Sequence, residues 1–145
     1  MDNEQYQTEA LLNNSNLLTL ATNHYHYAGG AHGNYYTVLH TFAADSVQLL
    51  QFNDIFLPGL EAELEALLTK KATALDIAFQ TATVPITENI AFTKEGLLFN
   101  YPPYEIGAYA DGEIEIVLPY AEVSHLLTGR GERLALGLID FEKMK

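Results

Sequence analysis

The sequence of 145 residues contains no cysteine, no tryptophan and few basic residues, with 7 Lys and Arg against 19 Asp and Glu. The absence of cysteine excludes disulfides, thiolate nucleophiles and cysteine-ligated zinc sites. The formal net charge of −12 disfavours electrostatic binding to nucleic acid or to an anionic membrane. No apolar run approaches the ~20 residues of a membrane-spanning helix, and none after Met1 resembles a signal peptide. Membrane association is therefore expected only through an anchor outside this sequence.

The length and the apolar content favour one globular domain. The chain is 48% hydrophobic and 18% charged, which is ordinary for a protein that buries a single core. Residues 1–16 are polar, and we interpret them as a lead-in that is helical in part. The domain itself is expected over residues 17–128. Residues 129–145 form a tail that is apolar enough between Leu134 and Phe141 to pack on the domain.

Residue composition predicts antiparallel strands in the first half of the chain. Leu17–Tyr27 and Tyr35–Ala43 are rich in Thr, Tyr, His and apolar residues, as strands are. The glycine-rich connection over residues 28–34 is too short for a parallel crossover, so these strands should pair antiparallel. A third short strand is expected over Val47–Phe52, after a turn.

Apolar residues at three- and four-residue spacing predict one main helix, with Pro58 in its first turn. This stripe, which we expect to pack on the sheet, comprises Leu60, Leu64, Leu67, Leu68, Leu75 and Phe79. The remaining patterns predict a hairpin from residues 90–93 and 97–101, a strand over 113–118 and a short helix over 120–127. Together they predict an α+β fold, with an antiparallel sheet of about five to six strands packed on one main helix and a second short C-terminal helix.

Two sets of motifs resemble a known bacterial family. Residues 25–34 (YHYAGGAHGN) and 50–56 (LQFNDIF) match its first half, and residues 96–99 (GLLF) and 103–112 (PYEIGAYADG) match its second half. Residues 116–120 (IVLPY), together with Leu126 and Leu127, resemble the last motif of the family. The family is an envelope domain of unknown function that forms the C-terminal, outward-facing part of the anti-sigma factor RsiV and also occurs beside polysaccharide deacetylase domains.

The resemblance extends from about Leu17 to Leu127 and implies a curved sheet and an extracytoplasmic location. Two departures are visible: the segment between the main helix and the second hairpin is short, and the companion domain that often precedes this family is not in the sequence. RsiV recognises lysozyme, a basic protein. The resemblance therefore implies a lysozyme-like protein, or a glycan of the envelope, as the ligand class.

Three histidines are candidate metal ligands. His24 and His26 lie two residues apart on a predicted strand, so their side chains share one face. If Tyr27 pairs with Tyr35 across the glycine-rich loop, His40 joins them on that face, and three imidazoles could hold zinc. The same face carries residues typical of a core: Leu20, Val38 and Phe42. We therefore predict no metal and no cofactor.

The glycine-rich loop is interpreted as structural. Gly29, Gly30 and Gly33 are expected to allow positive φ angles and a close chain crossing, with His32 holding the loop in shape. The loop lacks the lysine and the following helix of a phosphate-binding loop. An orienting carboxylate for His32 as a catalytic base is also not evident.

The tyrosine-rich segment after the second hairpin is the candidate binding site. Tyrosine offers a flat apolar surface with a polar tip, prolines reduce the entropy that binding costs, and carboxylates suit a basic partner. An alternative is that the tyrosines cover the end of the sheet and bond to backbone carbonyls. The candidate binding residues are Tyr101, Pro103, Tyr104, Glu105, Tyr109 and Asp111.

No catalytic residue is assigned. Glu113 and Glu115 share one strand face, and we interpret them as solvated. The preferred hypothesis is a non-enzymatic, extracytoplasmic binding or sensing module whose ligand is a basic protein such as lysozyme or a peptidoglycan fragment. The alternatives are a histidine-dependent metallohydrolase or deacetylase accessory domain, and a purely structural spacer.

Overall fold

A computed structural model describes residues 3–30, 33–108 and 111–138, and within them the chain forms two antiparallel sheets and four α-helices. The first sheet has the strand order β1-β2-β3-β4 and the second has the order β5-β6-β7. The strands are β1 Asn3–Asn13, β2 Leu17–Tyr27, β3 Asn34–Ala43, β4 Gln48–Leu49, β5 Ile90–Phe92, β6 Leu97–Tyr101 and β7 Ile114–Leu118. The helices are α1 Phe52–Ile55, α2 Glu61–Ala74, α3 Tyr120–Val123 and α4 Gly129–Leu136, with a 3₁₀ turn at Ser124–Leu126.

The division into two sheets corrects the expectation of a single sheet on one main helix. The α+β class and the antiparallel pairing are confirmed, but the predicted strands separate into sheets of four and three strands. The strands of the second hairpin pair with β7 and not with the first sheet. Within the described residues, no helix is long and apolar enough to cross a membrane.

The start of the chain is a strand, so the expectation of a partly helical lead-in is wrong. β1 pairs antiparallel with β2 along its length, with a register irregularity between Ala10 and Leu12. Almost all of β1 is exposed, and only Leu12 is buried. A strand that buries neither face shows no alternation of apolar and polar residues, which is why its pattern is not recognisable.

β2 and β3 pair antiparallel as predicted, but two residues away from the assumed register. Tyr25 lies opposite Tyr35, His24 opposite Tyr36, and Leu20 opposite His40. The core-facing side is formed by the other set of residues, which is buried and consists of Leu17, Thr19, Ala21, Leu39, Thr41 and Ala43. The histidines therefore lie on the outer side of the sheet, and the interpretation of Leu20, Val38 and Phe42 as core residues is wrong.

The two sheets contact each other through small side chains and buried hydroxyls. Ala21 and Leu39 of the first sheet pack on Ala91 and Leu98 of the second. The hydroxyl of Thr19 donates to the carbonyl oxygen of Phe92 at 2.7 Å, and the Phe92 amide donates to the hydroxyl of Thr41 at 3.2 Å. Because a backbone group of β5 bonds to each threonine, these hydroxyls join the two sheets in a buried contact.

The helices and the opposite face of the second sheet form the main core. α2 buries Leu64, Leu68 and Ala72, so the central part of the predicted stripe is confirmed. The helix begins at Glu61 and ends at Ala74, which leaves Pro58 before it and Phe79 beyond it. Leu75, at the end of the helix, is 56% exposed. The tail begins with α4, whose Ala135 is buried, and residues 139–145 lie outside the described part of the chain.

Candidate functional site

A cleft of about 690 Å³ lies between the edge of β3 and the loop that follows β6. One wall is formed by Tyr36, Val38 and His40 of β3, because β4 pairs only with the last two residues of that strand. The opposite wall consists of Glu88 and the loop residues Pro102, Pro103, Tyr104 and Glu105. The structure therefore brings three of the predicted binding residues (Pro103, Tyr104 and Glu105) to one cleft.

The loop presents Tyr104 through a tight turn. The Glu105 amide donates to the Pro102 carbonyl oxygen at 3.1 Å, so residues 102–105 form a β-turn with Pro103 in its second position. Tyr104 has a φ of 75°, which is the left-handed conformation that the third position of a type II turn requires. Glycine is the residue normally found there, and a bulky side chain in this conformation is uncommon. The Tyr104 side chain is 61% exposed, so burial of its ring does not explain why tyrosine is tolerated.

Tyr101 has a supporting role, which corrects its prediction as a ligand-contacting residue. Its side chain is fully buried, and its hydroxyl donates to the Pro85 carbonyl oxygen at 2.6 Å. Burial raises the pKa of Tyr101, and the negative charges of Glu105 and Glu65 raise it further. This buried, neutral phenol connects the end of β6 to the segment that contains Pro85, and it is not exposed at the surface.

The other two candidates in this segment do not join the cleft. Asp111 is exposed, and its Oδ2 accepts a hydrogen bond from the Ala108 amide at 2.9 Å, which closes the end of the loop. Asp111 lies with Asp76, Glu113 and Glu115 around a separate depression of about 390 Å³. Tyr109 lies outside the described residues.

The floor of the cleft contains an asparagine that the sequence patterns did not single out. The Asn89 side chain accepts from the Leu39 amide at 2.9 Å and donates to the Thr37 carbonyl oxygen at 2.7 Å. These are the bonds that a neighbouring strand would make, so Asn89 occupies this part of the β3 edge. Asn89 and Glu88 reach the cleft only through tertiary folding. A local sequence pattern therefore could not have identified either residue.

The positive φ angles and the close chain crossing that were expected of the glycine-rich loop occur at its described glycines. Gly29 and Gly30 have φ angles of 103° and 102°, and the Gly30 carbonyl oxygen accepts from the Tyr27 hydroxyl at 2.9 Å. A Cβ atom at Gly33 would overlap the ring of Tyr25, so the chain crosses closely there. His32 lies outside the described residues.

The three candidate histidines share one face, but they do not form a metal centre. Glu4 Oε1 lies 3.3 Å from His24 Nε2 and 3.4 Å from His26 Nδ1. His40 pairs with Leu20, which is four residues along β2 from His24. The His24 ring stacks on Tyr6 at a centroid distance of 4.4 Å. Over residues 3–30, 33–108 and 111–138, no group of three or more His, Cys, Asp or Glu side chains is arranged to hold a metal ion.

The structure defines a two-sheet α+β domain with an open cleft that is lined by tyrosine and acidic residues, and known proteins share the fold. Residues 53–121, somewhat less than half of the chain, match a family model described as "Protein of unknown function (DUF3298)". A solved DUF3298 family member from Bacteroides fragilis is 29% identical, with a TM-score of 0.82 over 89% of this chain and 55% of that one.

A second solved structure, a DUF3298 family protein from Pseudomonas aeruginosa, is 19% identical and supports the fold alone. Its TM-score is 0.72 over 88% of this chain and 62% of that chain. The present chain therefore spans less than two thirds of either protein. No curated protein matches the sequence. The chain is thus similar to a family whose function is unknown, and its relation to RsiV stays a prediction.

Proposed function

We propose that this domain is a non-enzymatic, extracytoplasmic binding module, and that the cleft beside β3 binds a basic protein surface. The observation that carries the proposal is the conformation of Tyr104. An exposed aromatic side chain occupies a turn position where glycine would be less strained, and it lines the cleft of about 690 Å³. Contact with another molecule is a physical reason to keep a large ring at such a position.

The charge of the cleft supports a basic partner. Glu88 and Glu105 are exposed carboxylates on the same wall, and neither forms an ion pair in the described structure. The chain as a whole carries a formal charge of −12, which would accelerate association with a cationic protein. The extracytoplasmic location and lysozyme as the partner are supported by the resemblance to the RsiV domain.

Titration with lysozyme tests this proposal. We expect saturable binding, and we expect Tyr104→Ala to weaken it about 30-fold, the effect of losing an aromatic hot spot worth ~2 kcal/mol. The control is Leu75→Ala, because Leu75 is also a large exposed side chain, at 56%, but lies at the end of α2 and does not line the cleft.

A second pair of variants separates specific contact from overall charge. Glu88→Gln with Glu105→Gln removes two charges at the cleft, whereas Glu61→Gln with Glu63→Gln removes two charges from the exposed side of α2. The cleft pair should weaken binding more than the helix pair at equal ionic strength. Equal effects of the two pairs, or no saturation at ~100 μM lysozyme, would contradict the proposal. Binding of muropeptides without binding of lysozyme would replace the protein ligand with a glycan.

A further inference from the structure

A second, smaller pocket lies on the core-facing side of the first sheet, beyond the point where the second sheet ends. Its volume is about 350 Å³. Its floor is formed by two rows of paired residues across three strands, Gln5–Tyr25–Tyr35 and Gln7–Asn23–Thr37. The next row contains Ala21 and Leu39, which pack on the second sheet. The core-facing side of the first sheet therefore changes from apolar to polar residues at the point where the second sheet no longer covers it.

Glu113 lines this pocket and also the depression that contains Asp111 and Glu115. Its Oε1 atom is buried and has no hydrogen-bond partner among the described residues. None of the residues that line the pocket is Lys or Arg. A buried carboxylate oxygen without a donor is costly, because a charged acceptor has lost its water without a replacement. Glu113 lies directly before β7 and is partly exposed, so only its Oε1 atom departs from the expected solvation, whereas Glu115 within β7 is exposed.

Two tyrosines, Tyr25 and Tyr35, line the pocket. A Cβ atom at Gly33 would lie 2.5 Å from the Tyr25 ring, and one at Gly112, directly before Glu113, would lie 3.0 Å from the Tyr35 hydroxyl, so each tyrosine passes close to a glycine. A tyrosine ring attracts a cation to its face, and the attraction adds to that of a nearby carboxylate. The side-chain oxygen of Asn23 already accepts one hydrogen bond, from the Thr37 hydroxyl at 2.6 Å.

We propose that this pocket binds a single guanidinium or ammonium group, such as the end of an arginine or lysine side chain. The cation would supply the donors that Glu113 Oε1 lacks, and the tyrosine rings and amide oxygens would surround it. A neutral sugar could also donate a hydroxyl to Glu113, but it would leave the carboxylate charge uncompensated. The inference rests on this pocket alone and does not depend on what the larger cleft binds.

An NMR titration with Nα-acetyl-argininamide tests the proposal, and Nα-acetyl-citrullinamide is the neutral probe of nearly the same shape. We expect saturable shifts at Tyr25, Tyr35 and Glu113 with the arginine probe and at least ~10-fold weaker binding of the citrulline probe. Glu113→Gln should remove this preference. Glu115→Gln is the matched control, because it removes the same charge two residues away on the exposed side.

Equal affinity for the two probes in the native protein would overturn the proposal, and this comparison does not depend on whether a variant folds. Equal behaviour of the Glu113→Gln and Glu115→Gln variants would also overturn it. Saturable binding of N-acetylglucosamine in the absence of arginine binding would assign the pocket to a neutral ligand instead. Loss of lysozyme binding on substitution of Tyr104, with arginine binding intact, would support the two sites as separate.

Discussion

The backbone of Tyr104 provides a quantitative test of the argument for the cleft. A left-handed conformation costs a residue with a Cβ atom ~1–2 kcal/mol, and glycine avoids this cost. Glycine in turn loses ~0.4–1 kcal/mol through its greater freedom in the unfolded chain. Because alanine and glycine both remove the exposed ring, their difference isolates the backbone. We expect Tyr104→Gly to be more stable than Tyr104→Ala by about 0.5–1 kcal/mol.

The difference in stability can be measured by urea unfolding. Far-UV circular dichroism is the suitable signal, because the protein contains no tryptophan to serve as a fluorescent probe. The expected difference corresponds to roughly 2–3 °C in Tm for a domain of this size. Both variants should lose the same affinity for the basic partner, because affinity depends on the ring. An alanine variant as stable as the glycine variant would show that position 104 is unstrained, and the main support for a binding role would be lost.

Three further predictions concern the packing that supports the two pockets. Thr19→Val should lower the free energy of unfolding by ~1–3 kcal/mol in urea titrations, because the buried Phe92 carbonyl loses its donor. The control Thr22→Val, on the outer face of the sheet, should change the free energy of unfolding by less than ~0.5 kcal/mol. Gly96→Ala should cost ~1–3 kcal/mol in the same assay, because a Cβ atom would collide with the Leu118 carbonyl oxygen, while Gly129→Ala would meet only the flexible end of Arg133. Burial raises the pKa values of Tyr101 and Tyr120 above the ordinary value of 10, so the unfolded chain releases protons that the folded protein keeps. The contribution of these two phenols to the free energy of unfolding should be complete below pH 10 and should decline above it. Tm should therefore fall more steeply above pH 10 in the native protein than in Tyr101→Phe, and equal slopes would contradict this.

The limits of sequence-based prediction are clearest in the first sheet. The bounds of β2 were predicted as observed, since Thr, Tyr and apolar residues mark a strand that is half-buried. The register was wrong by two residues, because the conformation of the glycine-rich loop cannot be derived from its composition. An error of two residues moves no side chain to the other face, so the shared face of the three histidines was correct.

The assignment of the core face failed for a different reason. Two sheets in close contact need small side chains between them, and Thr19, Ala21 and Thr41 fulfil that need. In the sequence these residues look less like a core than Leu20, Val38 and Phe42 on the other side. A rule that ranks faces by hydrophobicity therefore selects the wrong one.

The candidate cleft was predicted in part. The concentration of Tyr, Pro and Glu around residues 102–105 identified the correct loop, because these residue types are useful in binding wherever they occur. The fully buried position of Tyr101 could not be distinguished from the exposed position of Tyr104, since both lie in the same short segment. Glu88 comes from a segment that only the tertiary fold brings to the cleft.

The outer edge of β1 has a consequence for the solubility of the protein. About every second residue of this eleven-residue strand directs its backbone donor and acceptor away from β2, where no strand of the described structure pairs with them. Such an edge can recruit an identical chain and begin fibrillar assembly. Here the irregularity after Ala10 interrupts the row, and the carboxylates of Glu4 and Glu9 repel a like-charged copy. The two carboxylates are therefore expected to protect this edge against self-association.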